Sequence, residues 1–365
     1  MTTRRLSVAT GSGSAVSLSK RGDGRATKFV AGRFGGGMAI DRRLTLGLGG
    51  FVLALLVPLA IPGPRLFIVT GGFIYALIAL TLVVLTGWAG QISLAQFSFV
   101  GVGAFAAGHF AGAHGQHFVL AVLIGMVLAA PLGILVGLPS LRLSGLYLAL
   151  ATLAFALIMD NIVFNRGDVS GGITGIVVAR PHIFGLSFTG RAALYELVVV
   201  VFGLVAVAAY GLRSGPIGRR LHILRDSPLA ASTLGVNLTV TKLVVFTICG
   251  MIAALGGALY GTWQQAITPL DFMWSTSLTL LLLVVLGGRS VISGALIAGT
   301  AFATLLLPGI PVHVTQAIQL TIALGVIGLA QEPEGSAAMT KRQTLHVLAV
   351  LRPLPARRRW VEHAR

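Results

Sequence analysis

The stretch AALYELVVVVFGLVAVAAYGL at residues 192–212, followed by RSGPIGRRLHILRDSPLAASTLGVNLTVT at 213–241, decides the fold. The first part is an apolar run holding one acid, Glu196, and it is long enough to cross about 30 Å of hydrocarbon as a helix. The second part is polar and basic. It carries Arg213, Arg219, Arg220 and Arg225 against one acid, Asp226, before apolar sequence resumes at Lys242. Inside this insert, Asp226-Ser227-Pro228 carries the signals of a helix start and Gly235 those of a stop. A serine N-cap accepts from orphan backbone N–H groups, proline at the first helical position gives up only an N–H that would be orphaned anyway, and glycine takes the left-handed turn that ends a helix. The spacing predicts a rod over 228–234, carrying Pro228, Ala230 and Ala231 and about 10 Å long. A helix that short is not stable alone, so it calls for a docking partner. The arginines equally fit an ordinary inside-facing basic loop that needs none.

The whole chain agrees with the apolar run. Of 365 residues, 55% are hydrophobic and 10% charged, far from the quarter charged of soluble domains. Its 48 glycines suit transmembrane helices, where small residues let backbones approach closely. The expected class is an all-α, polytopic integral membrane protein, since helices alone satisfy the backbone in lipid over runs of this length and barrel-type alternation is absent. Spans are expected at 44–61, 66–86, 94–112, 118–138, 145–164, 192–212, 242–262, 270–287, 291–308 and 314–330, ten in all. Residues 1–43 form a basic, Ser/Gly-rich tail expected to be disordered, with Met38 a possible true start. Residues 44–330 form the membrane domain, and residues 331–365 a basic tail.

The net charge of +17 is concentrated at the ends and in the insert, which points to membrane orientation rather than to nucleic acid. With ten spans both termini share one side. That side receives nine basic residues before Leu44, five in 213–242, seven after Ala330, and Arg142 and Arg289 in short loops; the other side receives Arg65, Arg166, Arg180 and Arg191. Both termini and the insert are therefore expected in the cytoplasm, with the chain in the plasma membrane. One cysteine, Cys249, excludes any intramolecular disulfide.

Polar residues within the spans are the candidates for a path. Gln91, Ser93, Gln96 and Ser98 sit in and before the third span, and at membrane depth each needs a partner or water. They read either as a translocation lining or as interhelical hydrogen bonds in a Gly-rich packing face. Asp160 and Asn161, near the outer end of the fifth span, read either as a passage site or as residues close enough to the boundary to reach water. Glu196 and Asp271 lie at span boundaries and are expected to be solvated. His109, His114 and His117 cluster at an outer edge without enough ligands for a metal site. No phosphate-binding G-x-x-x-x-G-K-[ST] loop and no catalytic constellation is present, so no catalytic, cofactor or metal residue is expected on this chain.

Several pieces, taken in order, carry a resemblance: Gly90-Gln91-Ile92-Ser93-Leu94 through Gly101-Val102-Gly103-Ala104; Leu141-Arg142-Leu143-Ser144-Gly145-Leu146-Tyr147; Gly171-Gly172-Ile173-Thr174-Gly175-Ile176; Pro216-Ile217-Gly218-Arg219 through Arg225-Asp226, Ala230-Ala231 and Gly235; and Val285-Leu286-Gly287-Gly288. Over about 44–335 the chain resembles the LivM-like permease subunit of the branched-chain amino acid ABC importers. The resemblance implies a permease without enzymatic activity of its own. Its partners would be two ATP-binding subunits holding ATP-Mg, a second homologous permease subunit and an extracytoplasmic substrate-binding protein. It also implies that 228–234 is the coupling helix, started at Asp226 and Ser227, with Arg219, Arg220 and Arg225 orienting its loop against the partner or lipid. The chain departs from that pattern twice. Leu157 stands where many relatives have an acid, which leaves urea, amides or another small organic solute open as substrate, and Leu221-His222-Ile223-Leu224 is more apolar than the usual stretch. An ion-coupled secondary transporter would need more intramembrane ionisable groups than Asp160.

Overall fold

The computed structural model describes residues 42–60, 63–113, 118–183, 186–188, 190–227, 231, 237–288 and 292–305. The chain divides after Gly50. Of Met1–Gly50, only the first residues of helix α1 (Arg42–Ala60) are described. From Phe51 onward the described residues form one helical body. Its long elements are α2 (Gly63–Leu82), α3 (Gln96–Ala107), α4 (Phe118–Gly137), α5 (Leu146–Ile158), α6 (Arg191–Ser214), α7 (Pro216–Asp226), α8 (Leu238–Gln264), α9 (Trp274–Gly288) and α10 (Ile292–Leu305). Among the described residues, six helical stretches are long and apolar enough to cross a membrane: Arg65–Trp88, Phe118–Leu141, Leu146–Phe164, Arg191–Ser214, Leu238–Gln264 and Pro269–Gly288. The protein is a polytopic all-α membrane protein. The tenth expected span, 314–330, lies outside the described residues, as do residues 1–41 and the C-terminal tail.

Two helices carry the core. α2 is apolar on all sides and buried nearly all round, with Ile74 to Leu85 at or close to zero exposure. α8 runs beside it and packs along α2, α3 and α4. The α3–α8 crossing is set by two glycines. A Cβ at Gly103 would stand 1.9 Å from the Ala254 carbonyl oxygen, and one at Gly257 1.9 Å from the Val100 carbonyl oxygen. Backbone therefore lies directly on backbone, the geometry that small residues permit between membrane helices. The outer helices α4, α5 and α6 turn large apolar side chains outward, among them Val127, Leu135, Leu150, Ile158, Leu204 and Val207. In water that surface would drive aggregation; in a bilayer it is the solvent-compatible face.

A proline within a helix shows how strictly polar backbone is satisfied here. Pro58 of α1 has no N–H for the carbonyl of Ala54, and the buried Tyr195 hydroxyl of α6 donates to that oxygen instead, at 2.7 Å.

The connections gather at two ends of the body. At one end the two-residue strand β1 (Ile176–Val177) pairs antiparallel with β4 (Ala266–Ile267), joining the 165–190 segment to the start of the α8–α9 connection. A second short ladder, β2 (His182–Ile183) with β3 (Leu186–Ser187), lies in the same segment. These ladders belong to connections and leave the helical class intact. Gly63 and Arg191 also meet, at the starts of α2 and α6. At the other end lie the break after α2, the 3-10 turn Pro139–Leu141 beside Arg142, and the whole described part of the insert.

Two expectations need correction. The third helix begins at Gln96 rather than 94, because residues 89–95 are extended or turned, with Gly90 at φ +67°. The eighth expected span, 270–287, lies within the stretch Pro269–Gly288, whose first turn, Pro269–Phe272, is 3-10 and whose α-helix begins at Trp274. Asp271 is not merely solvated. It closes a capping box with Thr268, accepting from the Thr268 N–H at 2.7 Å, and it accepts from the Tyr260 hydroxyl at 3.3 Å. Glu196, by contrast, is exposed.

Candidate functional site

The insert is built on a tight corner. Gly215 closes α6 by donating to the Gly211 carbonyl at 2.9 Å, and Pro216 opens α7 at its first position. A Cβ at Gly218 would lie 2.1 Å from the Arg213 carbonyl oxygen, so α7 folds back hard against the end of α6. The apolar run 221–224 now has a reason: Leu221 and Leu224 are buried against the body, while Arg219 and Arg220 face outward and are exposed. The expected single rod in this insert is thus preceded by a second helix. Its signal was present in the sequence as Pro216 at a helix start with Ile217, Leu221 and Leu224 at spacings of four and three.

α7 ends at Asp226. Ser227 leaves it in extended conformation (φ −155°, ψ 102°), and its carbonyl accepts from the N–H of Ala231 at 3.0 Å. That is the first bond expected of a helix N-cap, and Ala231 is helical and fully buried. Pro228, Ala230 and Gly235 lie outside the described residues. Beyond them, Asn237 caps α8 by accepting from the Val240 N–H at 3.1 Å.

Arg225 is exposed like Arg219 and Arg220, yet it bonds to the body. Its Nη1 donates to the Gly87 carbonyl at 2.6 Å. Gly87 sits in a π-helical turn, Val83–Trp88, that ends α2; π turns are rare and concentrate where helices are interrupted for function. Arg213 lies over the ring of Trp88, 5.5 Å from its centroid.

The candidate path residues follow this break directly. Gln91, Ser93, Gln96 and Ser98 are all buried, Ser93 and Gln96 completely. α3 has no N-cap side chain of its own, and the N–H groups just before and within its first turn are met from other helices. The Leu94 N–H donates to Thr152 Oγ1 of α5 at 2.9 Å, and the Phe97 N–H to Ser277 Oγ of α9 at 2.9 Å. The Gln96 amide nitrogen donates to Thr81 Oγ1 at 2.5 Å and lies 3.5 Å from the Cys249 carbonyl. Gln91 Oε1 and Gln96 Oε1 are buried and accept no hydrogen bond among the described residues. A buried amide oxygen without a donor is costly, and such sites call for a ligand or water. Thr81 and Cys249 also line a cavity of about 160 Å³ between α2, α6 and α8, otherwise walled by Leu80, Val84, Ala209, Leu212, Ile248 and Ile252 among others.

Asp160 and Asn161 are not part of this cluster. They fall in the π turn Met159–Phe164 that ends α5; Asn161 is exposed and returns its amide to the Leu157 carbonyl at 2.9 Å, and Asp160 is half-buried. At the same end His109 sets its two ring nitrogens against the carbonyls of Phe105 (3.2 Å) and Asp168 (3.0 Å). Asp168 itself takes two hydrogen bonds from the Arg166 guanidinium, which holds its carboxyl below the usual range. His114 and His117 lie outside the described residues, and no group of three metal-capable side chains occurs among the described ones.

Residues 65–331 match the family model described as the branched-chain amino acid transport system permease component. The chain is 29% identical over 287 residues to the high-affinity branched-chain amino acid transport system permease protein LivM of Escherichia coli K12, covering 72% of this chain and 67% of that one. It is 30% identical over 269 residues to LivM of Salmonella typhimurium LT2, covering 65% of this chain and 63% of that one. It is also 27% identical over 235 residues to the ribose import permease protein RbsC of Escherichia coli K12, covering 63% of this chain and 70% of that one. No solved structure matches the chain. With the family model spanning both the polar break and the basic insert, the chain belongs to the permease-component family of branched-chain amino acid transport systems.

Proposed function

We propose that this chain is the membrane subunit of an ATP-driven importer that moves branched-chain amino acids into the cell by alternating access. The observation that carries the reading is the family match over 65–331, which includes every polar feature described above. In this reading both termini and the insert face the cytoplasm. Two ATP-binding subunits hold ATP-Mg and dock on the insert, a second homologous permease subunit completes the pore, and an extracytoplasmic binding protein delivers substrate. The rod expected at 228–234 is the coupling helix. The helical bond from Ala231 to Ser227 supports a helix beginning there, and the outward-facing Arg219 and Arg220 supply a surface for the partner.

Gln91, Ser93, Gln96 and Ser98 line the path where α2 is broken. Irregular backbone at membrane depth is tolerated only where protein or a water-filled cavity covers it, and transporters place their sites at such interruptions. Two unpaired amide oxygens suit a substrate ammonium, and an apolar cavity beside Thr81 suits an aliphatic side chain. Asp160 and Asn161 would act only at the outer mouth.

The similarity to a ribose permease favours a second reading, import of a sugar or another small polar solute. The purified complex in liposomes, with ATP enclosed and the binding protein outside, separates the two. Radiolabelled leucine should accumulate and be displaced by isoleucine and valine but not by ribose. Accumulation of ribose and not leucine would replace the first reading with the second, and ATP-independent uptake would overturn both.

A further inference from the structure

The insert and its flanks carry five cations, and three of them make contacts with the body that an orientation signal alone would not need. Arg225 donates to the Gly87 carbonyl, Arg213 covers the Trp88 ring, and Lys242 Nζ donates to the Ser140 carbonyl at 2.5 Å. Each target lies at the C-terminal end of a helix: Gly87 and Trp88 at the end of α2, Ser140 in the 3-10 turn that closes α4. Helix C-termini present orphan carbonyls and the negative end of the backbone dipole, so a cation there is both bonded and electrostatically favoured.

Two of the three contacts converge on one point from opposite ends of α7. Arg213 precedes the helix and Arg225 closes it. Between them the Gly218–Arg213 backbone contact and the buried Leu221 and Leu224 make α7 a stiff strut rather than a loose loop. The point they seize is the α2 break. There the Ala89 and Gln91 N–H groups bond back to Val84 and Leu85, and the Gly87 carbonyl receives Arg225. Gly90, at φ +67°, leaves room for the Arg225 side chain to pass: a Cβ there would stand 3.1 Å from Arg225 Cγ. The buried polar segment Gln91–Gln96 begins at the next residue.

We propose that Arg225 is a positioning residue that ties the insert to the break ending α2, next to the Gln91–Gln96 segment. When a partner pushes the insert, α7 moves as a unit, the Arg225–Gly87 bond carries that displacement into the α2 break, and Gln91–Gln96 shifts with it. Arg213 on Trp88 is the second hold on the same point. This rests on the reading of the chain as an ATP-driven importer.

The test compares wild type, Arg225→Met and Arg225→Lys in the complete complex in liposomes, measuring leucine uptake and ATP hydrolysis in the same vesicles together with complex assembly and thermal stability. Arg225→Met keeps the apolar stem and loses the donor. It is expected to assemble and to hydrolyse ATP within about twofold of wild type, while uptake per ATP falls on the order of tenfold, as for loss of one hydrogen bond from a charged donor. Arg225→Lys, which keeps a cation without the planar fork, should recover part of that ratio. An unchanged ratio in Arg225→Met, or uptake and hydrolysis falling in equal proportion, overturns the proposal. If Arg225→Met fails to assemble, Arg225→Gln decides, because its shorter neutral amide cannot reach the Gly87 carbonyl: a fall in the ratio supports the tie and wild-type coupling refutes it. A wild-type complex without ATP-driven uptake refutes the importer reading itself, a result distinct from any of these.

Discussion

The α3–α8 crossing yields the most quantitative prediction. Gly257→Ala places a methyl group 1.9 Å from the Val100 carbonyl oxygen, and contacts of a Cβ below 3.0 Å are essentially never seen. The neighbour is backbone, so no rotamer change relieves the clash and the helices must part by about 1 Å. Overpacking of this kind costs about 1–3 kcal/mol. The upper end is expected here, because a 1 Å shift of α3 would also stretch the 2.9 Å bonds that hold its first turn to Thr152 and Ser277 past hydrogen-bonding range. The expected loss is therefore about 3 kcal/mol. Thermal unfolding in detergent, followed by circular dichroism, measures it. Gly211→Ala is the control: it lies on the exposed side of α6 with nothing within 4 Å of a Cβ and should be neutral or slightly stabilising. The pair Gly103→Ala with Gly257→Ala should cost less than the two single losses together, because the first separation makes room for the second methyl. Equal stability of Gly257→Ala and Gly211→Ala would refute the backbone-on-backbone crossing.

Three further outcomes follow from local chemistry. Tyr195→Phe removes the donor that replaces the missing Pro58 N–H and leaves the Ala54 carbonyl unsatisfied, a loss of about 1–3 kcal/mol measurable by the same unfolding assay; an unchanged melting point would show that the carbonyl has another partner. Asn237→Ala removes the cap of α8 and should cost about 1 kcal/mol, with Asn237→Asp close to wild type. Asp168→Asn should leave stability at pH 7 within error, because its pair with Arg166 is solvent-exposed and such pairs contribute little. Since Arg166 lowers the Asp168 carboxyl, whatever the pair contributes is present above the ordinary aspartate value and is lost as pH falls through the lowered one, so nuclear magnetic resonance titration of that carboxyl should show a midpoint below that of a free aspartate.

Hydropathy made the helical class and most span positions legible, since length and apolarity are what a bilayer selects. The charge asymmetry put Arg142 on the side of the insert, and the Lys242–Ser140 contact brings the turn beside Arg142 against the end of the insert. What escaped was everything decided by contact rather than by composition. The π turns that end α2 and α5 are apolar enough to look like ordinary continuing helix, and the break expected at 87–93 runs two residues further, to Ala95. Asp271 resembled a solvated boundary acid because its partners, Thr268 and Tyr260, gain their roles only when the 3-10 turn folds. Arg213 and Arg225 counted only as charges, because Trp88 and Gly87 lie more than 120 residues away in sequence. The burial of Gln91 and Gln96 was foreseeable from their position among apolar residues, whereas the missing partners of their amide oxygens became visible only in three dimensions.

The central claim is that the insert faces the cytoplasm and receives a separate ATP-binding partner. The most direct measurement is thiol labelling at position 219, which lies on the exposed face of α7 in a chain whose one native cysteine, Cys249, is buried. With Arg219→Cys and a membrane-impermeant maleimide, labelling is expected in inside-out vesicles, absent in intact cells, and reduced when the ATP-binding subunits are bound. Labelling from outside intact cells would contradict the account.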